Sequence, residues 1–379
     1  MLYIALELVS DSVSRKLALV TMAILLIEIA RKKDVRQYFV LLLIYLLTVG
    51  NIMLHGINYV VHQDYYGYAL LLLICLFFSN ESHRDELNAL LSKKVIAALC
   101  VAFLSIVAAS IFVKNGLRYS NEWGATAPFL YGPYELPHTL AYQLIVMYLI
   151  ASIGWHKYGY IFLGFMLAFT ALLAWTGVRS AFLVLAIILV CEYFSIPSVW
   201  KKSIIFIAVF MGACYALLFT DFLQNSPIIQ KTLHAIRSGS GISNSRTDFN
   251  TYLTQWYFHG LNGFEKIFGV GMDRLREYMY LRYGTALHAH NDILNVLVGM
   301  GATGLFLYLK LFVDFCRVNR KWGYVFLPIF LLAFTNGLFL YTGVTPALPV
   351  FLVYFKVIKD LKAEEDETTN TNQHHPSDL

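Results

Sequence analysis

Long apolar runs separated by short polar connections occupy most of the chain. Eleven approach the length that a helix needs to cross a bilayer, about 20 mainly apolar residues, and they lie at 14–31, 37–56, 62–79, 94–113, 137–154, 159–176, 179–196, 203–219, 291–313, 323–341 and 344–357. The apolar start at 1–9 could add a partial or twelfth span. Segments of about ten alternating apolar and polar residues, typical of membrane strands, are absent from the sequence. The pattern predicts an all-α fold, a polytopic transmembrane helical bundle of about 11–12 spans.

The composition strengthens this prediction. Of the 379 residues, 58% are hydrophobic and 14% are charged, whereas soluble domains contain about 25% charged residues. All five cysteines lie inside apolar runs, at Cys75, Cys100, Cys191, Cys214 and Cys316. We expect them to be small core residues and neither disulfides nor metal ligands. We expect no cleavable signal peptide, because the first strong apolar run continues into further spans.

Lysine and arginine are concentrated in one alternating set of short connections, which predicts the orientation of the chain. This set holds Arg31, Lys32, Lys33, Arg36, Arg84, Lys93, Lys94, Lys157, Lys201, Lys202, Arg317, Arg320, Lys321, Lys356, Lys359 and Lys362. The opposite short connections hold Arg15, Lys16, Lys114, Arg118 and Arg179. Because cytoplasmic loops carry the excess of basic residues, the first set should be cytoplasmic. The acidic, polar tail at 358–379 should be disordered in the cytoplasm.

This orientation places two longer segments on the outer side. The chain then divides into 1–136, N-terminal transmembrane helices with a first outer loop; 137–219, central transmembrane helices; 220–290, a large outer loop; 291–357, C-terminal transmembrane helices; and the tail. The first outer segment, 114–136, is rich in aromatic residues. We interpret it as an interfacial aromatic belt, and sugar stacking is the functional alternative.

The large outer loop at 220–290 has more basic than acidic residues. It holds Lys231, Arg237, Arg246, Lys266, Arg274, Arg276 and Arg282 against Asp221, Asp248, Glu265, Asp273 and Glu277. Long loops escape the positive-inside rule, so the orientation stands, and the excess suggests an anionic partner. Apolar residues at 249, 253, 256 and 257 recur at helical spacing after a possible Ser or Asn cap at 243–245, and glycines follow. We expect two or three short amphipathic helices over the membrane face.

The polar stretch Leu-His-Ala-His-Asn-Asp at 287–292 leads directly into the apolar run 291–313. Histidine exchanges protons near neutral pH, and polar groups at a membrane boundary are candidates for a functional site. His290 is therefore a candidate base, with His288, Asn291 and Asp292 in support. The structural alternative is that these residues cap a helix and reach toward the headgroups. A metal site at the two histidines lacks further ligands at suitable spacing.

Two arginines are candidates for binding phosphate. Arg179 stands between two apolar runs almost without a loop, and Arg246 lies in the outer loop within Asn-Ser-Arg-Thr-Asp at 244–248. The planar guanidinium group makes paired, charge-assisted bonds to phosphate oxygens. For Arg246 the alternative is a solvated charge or a salt bridge to Asp248. The sequence shows no ATP site, because no Lys-Ser or Lys-Thr follows the Gly-Val-Gly at 269–271.

Several of these motifs together resemble the O-antigen ligase and O-antigen polymerase superfamily of bacterial inner-membrane glycosyltransferases. His290-Asn291, followed nine residues later by Gly-Ala-Thr-Gly at 301–304, is similar to the His-Asn…Gly-x-x-Gly signature at the end of its large periplasmic loop. Arg179 resembles the arginine that opens a mid-chain span, and Arg246 the arginine at the start of a loop helix. The Phe-Gly-Val-Gly at 268–271 resembles the Phe-Gly-x-Gly that follows this helix. The resemblance covers roughly residues 137–340.

The resemblance implies an inverting glycosyltransferase that needs no metal, nucleotide or other cofactor. The donor would be a glycan on undecaprenyl pyrophosphate, and the acceptor a hydroxyl of another glycan or of lipid A–core. Arg179 and Arg246 would hold the pyrophosphate, and His290 would remove the acceptor proton. A groove in the membrane would hold the polyprenyl tail among membrane lipids. The site would face the periplasm, and a chain-length regulator protein is a candidate partner; we expect no nucleic acid.

The resemblance leaves two activities open. A polymerase joins lipid-linked repeat units, whereas a ligase passes the finished polymer to lipid A–core. Leu305 and Phe306 follow Gly304 where ligases often have threonines, and this favours a polymerase. A polytopic transporter is the alternative from another class, but it would place ionisable residues near span midpoints and show paired inverted halves. The spans contain few ionisable residues, and the one large loop lies in the second half of the chain without a counterpart in the first. Both features favour glycosyl transfer over transport.

Overall fold

The computed structural model describes residues 11–31, 35–55, 62–113, 116–119, 128–195, 226–237, 246–284, 290–317, 323–335, 337–338 and 345–358. In the first half, the helices are α1 (Asp11–Arg31), α2 (Val35–His55), α3 (His62–Phe78), α4 (Glu81–Leu90), α5 (Lys93–Val113), α6 (Pro137–Tyr158), α7 (Leu163–Thr176) and α8 (Arg179–Ser195). The second half contributes α9 (Pro227–Arg237), α10 (Arg246–Gln255), α11 (Gly263–Phe268), α12 (Met272–Tyr283), α13 (Asp292–Gly299), α14 (Gly301–Arg317) and α15 (Gly323–Thr335). The last helix, α16, is Pro349–Ile358.

Three helices, Val35–His55, Lys93–Val113 and Pro137–Tyr158, are long and apolar enough to cross a membrane. Shorter apolar helices cover Asp64–Phe78, Tyr160–Thr176, Arg179–Val190 and Pro349–Ile358. Among the described residues, strands are confined to one antiparallel pair, β1 (Leu117–Arg118) and β2 (Phe129–Leu130). The predicted all-α membrane bundle is thus confirmed. The predicted span at 203–219, residues 120–127 of the first outer loop and the tail beyond 358 lie outside the described residues.

Helix α6 lies at the centre of the bundle, because every residue from 139 to 154 is buried. It packs against α5, α7 and α8. Gly154 permits a close approach, since an added Cβ atom would lie 2.8 Å from the Phe162 ring. Helix α3 packs against α14 and joins the same core, which also buries Cys75, Cys100 and Cys316. These three cysteines are core residues, as predicted.

The apolar run 291–313 forms two helices, so its interpretation as one span is wrong. Helix α13 ends where the Met300 amide donates to the Val296 carbonyl, and α14 begins at Gly301 with a φ angle of 72°. Gly301 adopts this left-handed conformation at little cost because it lacks a Cβ atom. Helix α13 therefore does not continue the direction of α14, and it packs on the loop helices α10 and α12 as well as on α15.

The large outer loop contains short helices, as the sequence predicted. The structure describes four α-helices in it, α9 to α12, and a π-helical turn at Trp256–Gly260 after α10, where the sequence indicated two or three helices. Helix α11 is the additional element, and it begins with a reciprocal cap. The Asn262 side chain accepts from the Glu265 amide at 2.9 Å, and the Glu265 carboxylate accepts from the Asn262 amide at 3.1 Å. This Asn-x-x-Glu box starts a helix despite the flanking glycines.

Candidate functional site

Helices α10 and α12 of the outer loop pack with their chains antiparallel. The rings of Phe249 and Tyr283 lie 4.6 Å apart, so the start of α10 meets the end of α12. Trp256, just after α10, stacks on Tyr278 at 3.8 Å with the ring planes 4° apart. Stacked and edge-on rings of this kind fix the relative position of two helices.

Helix α12 is also antiparallel to α13. The Gly271 amide, at the start of α12, donates to the Gly299 carbonyl, at the end of α13, at 2.9 Å. The two helices then pack along each other, and the chain returns from Tyr283 to His290 within seven residues. Because α12 is antiparallel to both neighbours, α10 and α13 run in the same direction. Arg246, the first residue of α10, therefore lies at the same end of this layer as His290.

Asn291, and not His290, caps helix α13. The Asn291 side-chain oxygen accepts hydrogen bonds from the amides of Ile293 at 3.0 Å and Leu294 at 3.3 Å. His290 precedes the cap with a φ angle of 50°, a left-handed conformation that is uncommon outside glycine although histidine is among the residues enriched there. The alternative that residues of this stretch cap a helix is therefore confirmed for Asn291, whereas His290 is not the cap.

Asp292 connects α13 to the chain that follows α15. It is fully buried, and its Oδ2 atom accepts a hydrogen bond from the Leu338 amide at 2.5 Å. The Tyr308 side chain of α14 lies beside the same carboxyl group. This bond satisfies a buried backbone amide and ties the two segments together. Asp292 thus fixes the start of α13, and with it the position of His290, relative to the membrane helices.

Arg179 is placed by a tight turn between two apolar helices. Helix α7 ends at Thr176, Gly177 follows with a φ angle of 66°, and α8 begins at Arg179. An added Cβ atom on Gly177 would lie 2.4 Å from the Phe129 ring and 3.3 Å from Pro227. The turn is therefore packed between β2 and the start of α9, and the Nη1 atom of Arg179 is buried within the protein.

The helices that begin with Arg179 and Asp292 are linked through α15. Helix α15 packs against both α8 and α13, and the chain beyond its end is bonded to Asp292. In the predicted topology α8 and α15 cross the membrane in opposite directions, so α8 begins at the level where α15 ends. On that topology we expect Arg179, Arg246 and His290 to share one end of the molecule. His288 lies outside the described residues.

The two glycine motifs meet each other, which the sequence did not reveal. The amides of Val270 and Gly271 donate to the carbonyls of Val298 at 3.0 Å and Gly299 at 2.9 Å. The Thr303 hydroxyl, within the Gly-x-x-Gly sequence, donates to the Ile267 carbonyl at 2.8 Å. The motifs at 268–271 and 301–304, together with residues 267, 298 and 299 beside them, therefore form a clasp that attaches the loop layer to α14.

Glycine is required on both sides of this clasp. An added Cβ atom on Gly269 would lie 2.2 Å from the Gly299 carbonyl oxygen, and one on Gly301 would lie 2.3 Å from the Ile267 carbonyl oxygen. Both glycines also have left-handed φ angles, 84° and 72°. Their role is structural, since no side chain fits between the two backbones.

Sequence reasoning missed the residues from the N-terminal helices that complete the clasp. The Asn51 amide group donates to the carbonyls of Phe268 at 2.8 Å and Gly299 at 3.2 Å. The Tyr65 hydroxyl donates to the Asn51 side-chain oxygen at 2.9 Å and accepts from the Met272 amide at 3.0 Å. The available signal was a single buried amide inside an apolar run, because such a group requires partners.

Several basic residues of the outer loop have partners within the protein. Arg276 is bonded through two nitrogens to the Asp64 carboxylate, at 2.8 and 2.7 Å. Arg274 lies 3.4 Å from Glu265, and Lys266 donates to the Phe258 carbonyl at 2.8 Å. The positive charge that suggested an anionic partner is therefore partly used for structure. Because these basic side chains already have partners within the protein, fewer basic residues of the loop are candidates for binding an anion.

One more loop cation interacts with the aromatic layer. The Arg282 guanidinium lies over the Tyr252 ring, 5.5 Å from its centroid. Burial, followed by the neighbouring Tyr278 hydroxyl, raises the pKa of Tyr252 to about 12. Tyr252 therefore stays neutral at physiological pH, and its ring remains an uncharged surface for the cation.

Within the described residues, no group of three or more His, Cys, Asp or Glu side chains is arranged to hold a metal ion.

Residues 163–309 match the protein-family model described as O-antigen ligase. No curated protein matches the chain significantly. The family match confirms the resemblance to the O-antigen ligase and polymerase superfamily. It supports a membrane protein with ligase- or polymerase-type activity on O-antigen.

Proposed function

We propose that this protein transfers a glycan from undecaprenyl pyrophosphate to a sugar hydroxyl at the periplasmic face of the bacterial inner membrane. The arrangement that supports the proposal is the expected location of Arg179, Arg246 and His290 at one end of the molecule, inferred from the predicted topology and from the antiparallel order of α10, α12 and α13. The family match over 163–309 supports the reaction class and includes all three residues. Arginines beside a histidine suit a substrate that combines a pyrophosphate with an acceptor hydroxyl.

In the proposed reaction His290 acts as the general base. Because its Nδ1 atom is buried, Nε2 is the nitrogen that would take the proton from the acceptor hydroxyl. The acceptor oxygen then forms a bond to the anomeric carbon as the bond from that carbon to the pyrophosphate oxygen breaks. Attack from the side opposite the leaving group inverts the configuration. The proton resides on His290 until water removes it.

Arg179 and Arg246 would hold the pyrophosphate and stabilise the charge that develops as it leaves. Fixed cations aimed at a leaving group stabilise the transition state, and in this proposal they replace a metal ion. Both arginines are the first residues of helices. A helix start has a partial positive charge and uncapped amide groups, which favour an anion there. The charge of each guanidinium group and the partial charge of the helix start are both positive, and both would act on the pyrophosphate.

Transfer by the purified protein tests this function. The protein in lipid nanodiscs is mixed with a lipid-linked repeat unit, and elongated glycan and released undecaprenyl pyrophosphate are measured with and without EDTA. We expect equal amounts of new linkage and released carrier, with the same rate in EDTA. Absence of transfer from an authentic donor, or a strict need for a divalent cation, would contradict the proposal.

Polymerisation is the activity we favour, because Leu305 and Phe306 follow the Gly-x-x-Gly sequence. Deletion of the gene separates the two activities. A single repeat unit attached to lipid A–core would indicate a polymerase. Loss of all polymer from the core, with lipid-linked polymer accumulating, would indicate the ligase alternative.

A further inference from the structure

The first residues of helix α3 contact the outer layer formed by α10, α12 and α13. The Asp64 carboxylate receives both Nε and Nη2 of Arg276, at 2.8 and 2.7 Å, and its side chain is 6% exposed. The Arg276 side chain is 16% exposed, so most of this ion pair is removed from water. A bidentate pair of this kind fixes orientation as well as distance.

The contacts of α3 continue on the neighbouring turn. Tyr65 holds the Met272 amide at the start of α12, and the Tyr68 hydroxyl donates to the Gly304 carbonyl of α14 at 2.8 Å. Arg276 lies one turn after Met272 on the same helix. Helix α12 is thus attached to α3 at two successive turns. Since α12 packs against both α10 and α13, a shift of α12 would move both of its neighbours.

We propose that Asp64 and Arg276 are a positioning pair, which holds the layer of α10, α12 and α13 in register with the membrane helices. In this arrangement Arg246 and His290, carried by the layer, are held opposite Arg179, carried by the bundle; this consequence rests on the proposed function. Asp64 lies outside the matched segment 163–309. The N-terminal helices are therefore part of the functional unit.

The alternative for Arg276 is a direct contact with the anionic substrate, as proposed for Arg179 and Arg246. The two roles differ in how a second substitution acts. Removing one member of a buried ion pair leaves the other charge uncompensated, whereas replacing both members is often neutral. If Arg276 instead binds the substrate directly, replacing Asp64 as well would not restore the rate lost in the Arg276 variant.

The test compares Asp64→Asn, Arg276→Gln and the double variant, with Glu192→Gln as the matched control. Glu192 is a mostly buried carboxylate that bonds Ser152 and His156, within the bundle and on other helices. We expect each single variant of the pair to lose about tenfold or more in kcat, because small displacements of reacting groups lower rates strongly. Donor KM should change little in these variants, and the double variant should recover most of the lost rate. The control should keep the wild-type rate.

A double variant as inactive as Arg276→Gln alone would overturn the proposal and assign Arg276 to the substrate. Single variants with wild-type rates would overturn it as well. The recovery in the double variant also excludes a general loss of folded protein as the explanation.

Hydrogen exchange of the same variants gives a readout that does not depend on the reaction. In Asp64→Asn and Arg276→Gln, peptides from 246–284 should exchange faster, and in the double variant they should return toward wild type. Glu192→Gln should leave these peptides unchanged. If the wild-type protein transfers no glycan but exchange responds in this way, the proposed function fails and the positioning pair stands. Unchanged exchange in the single variants would contradict the pair itself.

Discussion

At the scale of single residues, neighbouring side chains in the stretch 290–292 have separate tasks. Asn291 caps α13, Asp292 fixes the chain after α15, and His290, just before them, adopts a left-handed backbone conformation. In the proposed reaction, His290 is the titratable side chain of this stretch that takes the proton. The sequence placed all three together but could not divide these tasks among them, because the division depends on backbone angles.

The cap makes a prediction about stability. Asn291→Ala removes the acceptor for two amides and should lower the free energy of unfolding by about 1 kcal/mol. Asn291→Asp and Asn291→Ser keep an acceptor and should lie close to wild type. Thermal unfolding of the purified protein in detergent measures this order. An alanine variant as stable as the serine variant would show that the cap contributes nothing.

The arginines make a prediction about rate. Arg179→Lys and Arg246→Lys replace a planar guanidinium group, which can make paired bonds, by a single ammonium group. Each should reduce the transfer rate by about 10²-fold, the typical effect of removing a group that stabilises transition-state charge. Arg274→Lys is the control, since its guanidinium faces Glu265 on the surface of the loop. Arg237→Lys, in a stretch without a family motif, should also matter less. Equal transfer rates for all variants at matched protein levels would remove the pyrophosphate assignment.

At the scale of elements, the clasp between 268–271 and 301–304 explains why two glycine motifs are needed. In Gly269→Ala and Gly301→Ala, the left-handed backbone strain alone should cost about 1–2 kcal/mol. Each variant should lose more stability than this, because the added Cβ atom also clashes with a neighbouring backbone. Gly263→Ala is the control, as an added Cβ atom there meets nothing within 4 Å. Protein yield and the unfolding midpoint measure the difference. A Gly269→Ala variant as stable as Gly263→Ala would contradict the clasp.

Elements were predictable to different degrees for physical reasons. Long apolar runs identify buried helices because hydrophobic periodicity is a local property, and α6 follows its predicted span closely. The break in the run 291–313 was not predictable, since it arises from contacts of Gly301 with residues more than thirty positions away. Likewise the pairing of Asp64 with Arg276 joins distant parts of the chain, and neither residue stands out in the sequence.

At the scale of the whole molecule, the charge distribution predicts which end faces the periplasm. Cysteines introduced at Ser240 and Thr371, in a background without the native cysteines, should differ in their reaction with an impermeant thiol reagent on intact spheroplasts. We expect labelling at position 240 and protection at 371 until the membrane is permeabilised. Labelling at 371 but not at 240 would reverse the topology and place the candidate site in the cytoplasm.

The central claim is that the three helix starts form one site in which His290 removes a proton. The most direct measurement is the transfer rate of purified wild type, His290→Ala and His290→Asn with a lipid-linked donor. Asparagine tolerates the left-handed conformation at this position, so His290→Asn should fold normally. We predict that both variants lose about 10²–10⁴ in rate, the usual contribution of a general base. Substantial turnover by His290→Asn at normal protein yield would contradict the account and remove His290 from the mechanism.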